Sequence, residues 1–404
     1  MENQNNFLVS WGWFLLVTLT TVLYTLPSVK MMVPYVVMGG CMLLSLLPVF
    51  IHRDLFIRNF SFQLLSISLY FLIAYYLFCS FTLVDSLNEA IRVLRTFIPV
   101  FWGIMFMQVL DKSKQKMSFF IIGFCILYIL FITLKALHEN PMISRLLAES
   151  TATSDSFLNQ YRMQNVGGFE FSYMIGLCTL CVFWKFLVSH KFLEKILCLF
   201  FVVLFYHYII LTQYATLLLL TSLGILGLIY GNLKTIYTKL LFIVGILFLL
   251  FFGFSLLVLL QDVFQDSLLS MKFEQISTSI ASGDVNDLGG RPLLMFSALN
   301  NWVSSPIFGG NYENLNAHSL ITTILVQTGL VGLLLWLFLY CRSYKIIKYY
   351  YAKIPYALNL VGNSFVYLFL LSFFNPIGYA FELPIACFFI VPLFINVFNK
   401  EKIQ

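Results

Sequence analysis

Charge is what this sequence has least of. Only 10% of its 404 residues are Asp, Glu, Lys or Arg, against 60% hydrophobic. That leaves too little polar surface to cover a soluble globule, even one divided into several domains. Histidine is scarce, with five in the chain. No internal repeat pairs the two halves, which disfavours a transporter built from related halves. The first apolar run has no basic leader and no small-residue cleavage site, so it reads as a retained helix and not a removed signal peptide. All eight cysteines fall within or at the ends of apolar runs. Cys178 and Cys181 form a CxxC, but at helical spacing inside an apolar span it reads as packing, so no disulfide and no metal is expected.

What the chain has is long apolar runs. Twelve approach the roughly 20 residues that a helix needs to cross a bilayer: 9–28, 31–51, 62–83, 93–110, 117–137, 168–189, 196–212, 214–230, 240–261, 318–341, 357–374 and 377–398. The break at Thr212-Gln213 is the least marked. The expected fold is an all-α, polytopic integral membrane helix bundle, one domain over 1–404. Short cytoplasmic loops collect Lys and Arg. With both termini cytoplasmic, the inner segments carry 16 of the 24 basic residues and five of the 18 acids, a net +11 against −5 outside. The overall +6 is therefore a topology signal and gives no reason to expect a nucleic-acid partner.

Two connections are long, 138–167 and 262–317, and both are expected outside, where long loops usually carry function. In the larger, "GDVNDLGGRP" is turn chemistry and Pro292 suits the first turn of a helix. "LLMFSALNNWVSS" then puts Met295, Leu299 and Trp302 on one side at helical spacing, ending before Pro306. This predicts a short helix lying on or dipping into the outer interface, with Trp302 as anchor. Arg92, Arg95, Arg162, Arg291 and, less clearly placed, Arg145 lie on the side where cations are rare. Each could pair with an outer acid. As a group near helix ends they suit a shared anionic ligand, because the guanidinium fork gives phosphate two parallel charge-assisted hydrogen bonds.

The run "LGGRPLLMFSALNNWVSSPIFGG", then "NAHS" entering a helix, then "QTGLVGLLLWLFLY", resembles the signature region of the O-antigen polymerase and ligase superfamily. In that pattern a Gly-Arg opens an outer-loop helix, a Pro-x-x-Gly follows, an Ala-His starts the next span and a Gly-Leu-x-Gly lies within it. "RMQNVGGFEFSYMIGL", residues 162–177, looks like the Arg and Gly-Gly-aromatic helix start of many O-antigen polymerases. Ligases of the superfamily commonly carry an Arg after Thr-Gln on a mid-chain helix. Here "LTQYATLLLL" has Tyr214 at that place, and Ser319 follows the histidine where ligases often have Asn. Both departures favour the polymerase.

The resemblance implies a GT-C-like bundle with a large extracytoplasmic loop in a bacterial inner membrane, its site facing the periplasm or outside. It implies an enzyme that transfers a growing O-antigen or capsular glycan from undecaprenyl pyrophosphate to the next lipid-linked repeat unit. Its partners would be that lipid-linked oligosaccharide, membrane lipids, a chain-length regulator and a flippase. The alternatives are an O-antigen ligase and, in another class, a flippase for lipid-linked glycans. Arg162 and Arg291 would stabilise charge on the leaving pyrophosphate without a metal or other cofactor, with Arg95 and Arg92 supporting. His318, at the border of the tenth span, would accept a proton from the attacking hydroxyl. Glu170, Glu313 and Glu382 are rival bases. Glu382 lies just inside the last span, and an acid there invites either a functional reading or a pair with an outer Arg. Tyr173, Trp302 and Asn316 could contact sugars, as could Tyr161 and Asn311.

Overall fold

The computed structural model describes residues 2–33, 35–46, 60–78, 86–149, 156–251, 291–310, 319–352, 354–375 and 382–398, with isolated positions between 259 and 278. Over these residues the protein is all-helical, without strands. In chain order the helices are α1 (Glu2–Thr25), α2 (Pro27–Met32), α3 (Tyr35–Leu44), α4 (Phe60–Phe78), α5 (Ser86–Val109) and α6 (Lys112–Glu139). Next come α7 (Ile143–Glu149), α8 (Ser156–Met163), α9 (Phe169–Val188), α10 (Phe192–Leu211), α11 (Ala215–Asn232) and α12 (Ile236–Phe251). The last are α13 (Arg291–Val303), α14 (Leu320–Tyr350), α15 (Pro355–Phe374) and α16 (Glu382–Phe398), which includes a π-helical turn over Ala386–Ile390.

Among the described residues, six helices are long and apolar enough to cross a membrane: α6, α9, α10, α11, α14 and Tyr356–Phe374 of α15. Four shorter apolar stretches accompany them, Ser10–Thr25, Ser66–Tyr75, Ile236–Phe248 and Glu382–Phe398. Large apolar side chains are fully displayed on the outside of the bundle, Phe124, Phe192, Leu193 and Leu241 among them. Continuous apolar exposure on this scale is untenable in water and natural in lipid. These features make it a membrane helix bundle.

The last helix is the central one. Every residue of 382–396 is buried, because α5, α6, α9 and α15 all pack on α16. Phe388 and Phe389 meet Phe97, Trp102, Phe106 and Phe365 there. Gly103 of α5 has no side chain to keep the Phe388 carbonyl away, so the π-helical turn seats directly on it. Lipid tails are as apolar as leucine, so packing and a few polar links must hold such helices together. Ser45 supplies two of them, accepting from Trp13 Nε1 at 2.9 Å through its carbonyl and from Trp102 Nε1 at 2.7 Å through its hydroxyl. Thr18 and Ser118 join α1 to α6 at 2.9 Å.

Helix starts follow local chemistry. Asp111 caps α6, its carboxylate accepting from the Lys114 backbone N–H at 2.8 Å and from Lys114 Nζ at 3.0 Å. Those bonds, the backbone one first, hold the Asp111 carboxyl below its usual range. Pro27, which lacks an N–H, opens α2 after the extended Leu26. The turn expected at Thr212-Gln213 is present, with Gln213 at φ 57°.

The tenth apolar run departs from an unbroken span. α14 is interrupted at Gly329 (φ 65°, ψ −167°), and the segment after α13 docks into the gap. Gly310 N–H donates to Val326 O at 3.1 Å, while Leu330 N–H and Val331 N–H donate to Pro306 O at 2.9 Å and Ile307 O at 3.2 Å. Tyr75 O–H of α4 donates to Thr328 O at 2.8 Å. The bonds that α14 loses at the break are thus replaced by bonds to the docked loop and α4, as an irregular backbone in an apolar bundle requires.

Candidate functional site

At one end of the bundle the chain gathers ionisable side chains that are far apart in sequence. The short helix α2 turns off α1 at Leu26 and carries Lys30 in its last turn. Glu170 lies in the first turn of α9 and Glu382 in the first turn of α16, where the positive end of a helix favours a carboxylate. Lys30 Nζ bridges the two acids. It lies 3.2 Å from Glu170 Oε2 and in direct contact with Glu382 Oε1.

The bridge is graded in exposure. The side chains of Lys30 and Glu170 are 28% and 35% exposed, whereas that of Glu382 is 4%. One Glu382 oxygen is satisfied by Lys30; the other, Oε2, is buried with no hydrogen-bond partner among the described residues. Arg95 Nε on α5 is buried in the same condition. Arg95 lies close enough to the Tyr24 phenol to act on it electrostatically, and α1, α5 and α9 all pack against the start of α16. Leaving a buried donor or acceptor unmade is expensive, so native proteins keep such atoms for a reason.

The neighbouring loop is fixed to this cluster. Asn165, in the left-handed conformation at φ 63°, accepts through Oδ1 from Ser28 N at 3.1 Å and Ser28 Oγ at 2.6 Å, two residues before Lys30. Arg162, three residues earlier on α8, is half-buried and donates to Asn159 Oδ1 at 3.1 Å and to Leu147 O at 3.4 Å. Glycine 167 follows, its N–H donating to Thr133 Oγ1 at 2.7 Å. The Gly-Gly helix start noted in the sequence is therefore the strap that lays Arg162 beside α2 and Glu170 at the head of α9.

Tyr173 lies one turn further along α9. Its ring is 1% exposed, stacked with Tyr214 at 6.3 Å and edge-on to Phe169 at 4.7 Å. Its phenol accepts from Asn375 Nδ2 at 3.3 Å. The structure places it in the packed interior, as a support for the cluster. Tyr214 O–H donates to Ser144 O at 2.8 Å, tying the start of α11 to α7.

The start of α14 reaches the same end through Asn375, whose carbonyl accepts from Leu320 N–H at 3.2 Å. Ser319 caps α14, accepting from Thr322 N–H at 3.3 Å and donating to Ser372 O at 3.3 Å. The residue that follows His318 is therefore anchored on α15. His318 itself, with Asn311, Glu313 and Asn316, lies outside the described residues. Arg92 and Arg291 are placed by their helices α5 and α13, with side chains outside the description. Trp302 does not stand free: its Nε1 donates to Pro306 O at 2.9 Å and its ring packs with Ala298 and Val326. It locks the turn that enters the α14 break.

Of the sequence-derived candidates, the structure joins Glu170 and Glu382 through Lys30 and brings Arg162 and Arg95 to the same end. The partner of Glu382 is a lysine and not one of the arginines expected outside. Lys30 was not singled out from sequence. Its signal was available: it is the only Lys or Arg before Arg53, set between two apolar runs on the side expected to be poor in cations.

Compared with known protein families, the chain matches no family model, and among curated proteins it has no significant match.

Proposed function

We propose that this chain is a lipid-linked glycan polymerase that extends O-antigen or capsular polysaccharide on the outer side of a bacterial inner membrane. The observation that carries the reading is the Lys30-bridged pair Glu170–Glu382, with a Glu382 oxygen that has no partner among the described residues, at the bundle end that also holds Arg162 and Arg95. The resemblance of residues 288–340 and 162–177 to the polymerase signature supports it independently. In this reading about twelve helices cross the membrane with both termini inside, in a GT-C-like arrangement.

The reaction is attack of a sugar hydroxyl on an anomeric carbon with lipid pyrophosphate leaving. Charge grows on the departing phosphate, and Arg162 and Arg291, helped by Arg95 and Arg92, would meet it with preorganised donors in a water-poor site. His318 would take the proton from the attacking hydroxyl. Glu382 and Lys30 would hold the floor of the site and Glu170 would meet the sugars from its rim, with Asn316 assigned to the sugars from the sequence alone. The ligase alternative is weakened by Tyr214, a phenol used to brace α11 on α7 where an arginine would be needed for phosphate. A flippase needs ionisable groups along a path through the bundle; the described candidate groups Lys30, Glu170, Glu382, Arg162 and Arg95 gather at one end.

The test is a glycan-length gel from cells lacking the gene, complemented with wild type, Arg162→Ala or His318→Ala. Wild type restores a ladder, and each variant returns single repeat units, with Arg162→Ala slowing extension about 100- to 1,000-fold. Long lipid-linked chains that never reach the core would establish the ligase instead.

A further inference from the structure

A second site lies at the other end of the bundle. Between α6, α9, α10 and the last two turns of α16 there is a cavity of about 850 Å³. Its walls are apolar, with Phe124, Cys181, Leu197, Phe201 and Phe394 among them, and its charged lining residues are Lys185 and Glu194. Phe124 and Leu197 at the rim are exposed on the bundle's outer surface, so the cavity opens sideways to lipid.

Its depth is informative. Along α10 it runs from Glu194 to Phe205, eleven residue steps, or roughly 16 Å at 1.5 Å per step. That is about half of a 30 Å hydrocarbon core, the depth of one leaflet. The charged mouth lies far from the Lys30 cluster: Glu170 and Lys185 are at opposite ends of α9, about 22 Å apart along its axis.

The mouth is cationic. Lys185 and Lys191 both approach Glu194, at 3.3 and 3.6 Å, and Ser189 Oγ also donates to it at 2.7 Å. Lys195 lies over the Phe186 ring at 5.9 Å. Two lysines thus flank one carboxylate with a third one residue further along α10, and the excess charge sits where a headgroup would be when its chains lie in the cavity.

We infer that this cavity is a binding site for one anionic membrane phospholipid, its acyl chains between α6, α10 and α16 and its phosphate at Lys185, Lys191 and Lys195. An apolar cavity of one-leaflet depth matches acyl chains, and clustered lysines at its mouth select a negative headgroup. The site is distinct from the proposed glycan site and does not depend on that assignment.

The test uses the purified full-length protein in mild detergent. Co-purifying lipid is identified by mass spectrometry, and thermal unfolding is followed with added phosphatidylglycerol, phosphatidylcholine of the same chains, or undecaprenyl phosphate. Phosphatidylglycerol should be retained at about one per chain and raise the Tm above the level in phosphatidylcholine. The double variant Lys191→Gln/Lys195→Gln should lower that headgroup preference by roughly 30-fold, the effect of two interfacial lysines, and leave the Tm in phosphatidylcholine unchanged. Cys198→Phe, which fills the cavity, should expel the lipid. Equal shifts with both phospholipids, an intact preference in the double variant, or stabilisation by undecaprenyl phosphate alone would overturn the assignment.

Discussion

Replacing Gly329 with alanine places a Cβ 2.2 Å from the Ile307 carbonyl oxygen and 2.5 Å from the Gly309 nitrogen. Its φ of 65° with ψ near −167° is a region essentially reserved for glycine, and forcing another residue into it costs about 1–3 kcal/mol. The contact adds an overpacking cost of about 1–3 kcal/mol, because both neighbours are backbone and cannot swing aside. A loss of roughly 2–6 kcal/mol is therefore expected. Gly309→Ala meets the same obstacle from the other side, 2.4 Å from Gln327 O and 2.6 Å from Gly329 N, at φ 73°. Since each substitution alone undoes the same interlock, the double variant should lose less than the sum, with a coupling of about 0.5–3 kcal/mol. Gly245→Ala is the control: no atom lies within 4 Å of its Cβ, and alanine in a helix gains about 0.5–1 kcal/mol over glycine. Thermal unfolding in detergent, read by tryptophan fluorescence, measures all four. Gly329→Ala unfolding with Gly245→Ala, or strictly additive losses in the double variant, would refute the interlock.

Two further outcomes concern the ionisable groups. Lys30→Met should destabilise by about 1–3 kcal/mol, because the buried Glu382 carboxylate is left without its partner; adding Glu382→Gln should recover much of the loss, and a double variant no better than the single would show that the bridge is dispensable. Asp111 has a folded pKa below its unfolded value, so its capping contribution is complete at neutral pH and fades as the pH falls through that lowered pKa. Asp111→Ala should therefore cost about 0.5–2 kcal/mol at pH 7 and converge with wild type in acid, as pH-dependent unfolding curves would record.

The charged cluster also separates what was legible from what was not. Glu170 and Glu382 were visible in the sequence because an acid at an apolar border is unusual and needs a partner. The partner's identity was not visible. Lys30 and Glu382 are 352 positions apart, and no local pattern links the first turn of α16 to the end of α2. The Gly-Leu-x-Gly of α14 was likewise apparent as a motif, but its meaning as a gap that receives residues 306–310 needs the backbone of both segments. Trp302 read as a membrane anchor because an amphipathic helix ending in tryptophan looks the same in either role. Only the structure shows its bond to Pro306, which ties it to the interlock.

By itself the sequence determined the environment and the elements: scarce charge and long apolar runs require a helical membrane bundle, since a helix satisfies its own backbone where water is absent. It also marked the break at Thr212-Gln213 and the Gly167-Gly168 helix start. Only the tertiary structure decided which run is central. α16, buried from 382 to 396, and α10, largely exposed, are both strongly apolar helices. Lipid and protein interior make the same demand on a side chain, so hydropathy cannot tell a helix that faces one from a helix that faces the other.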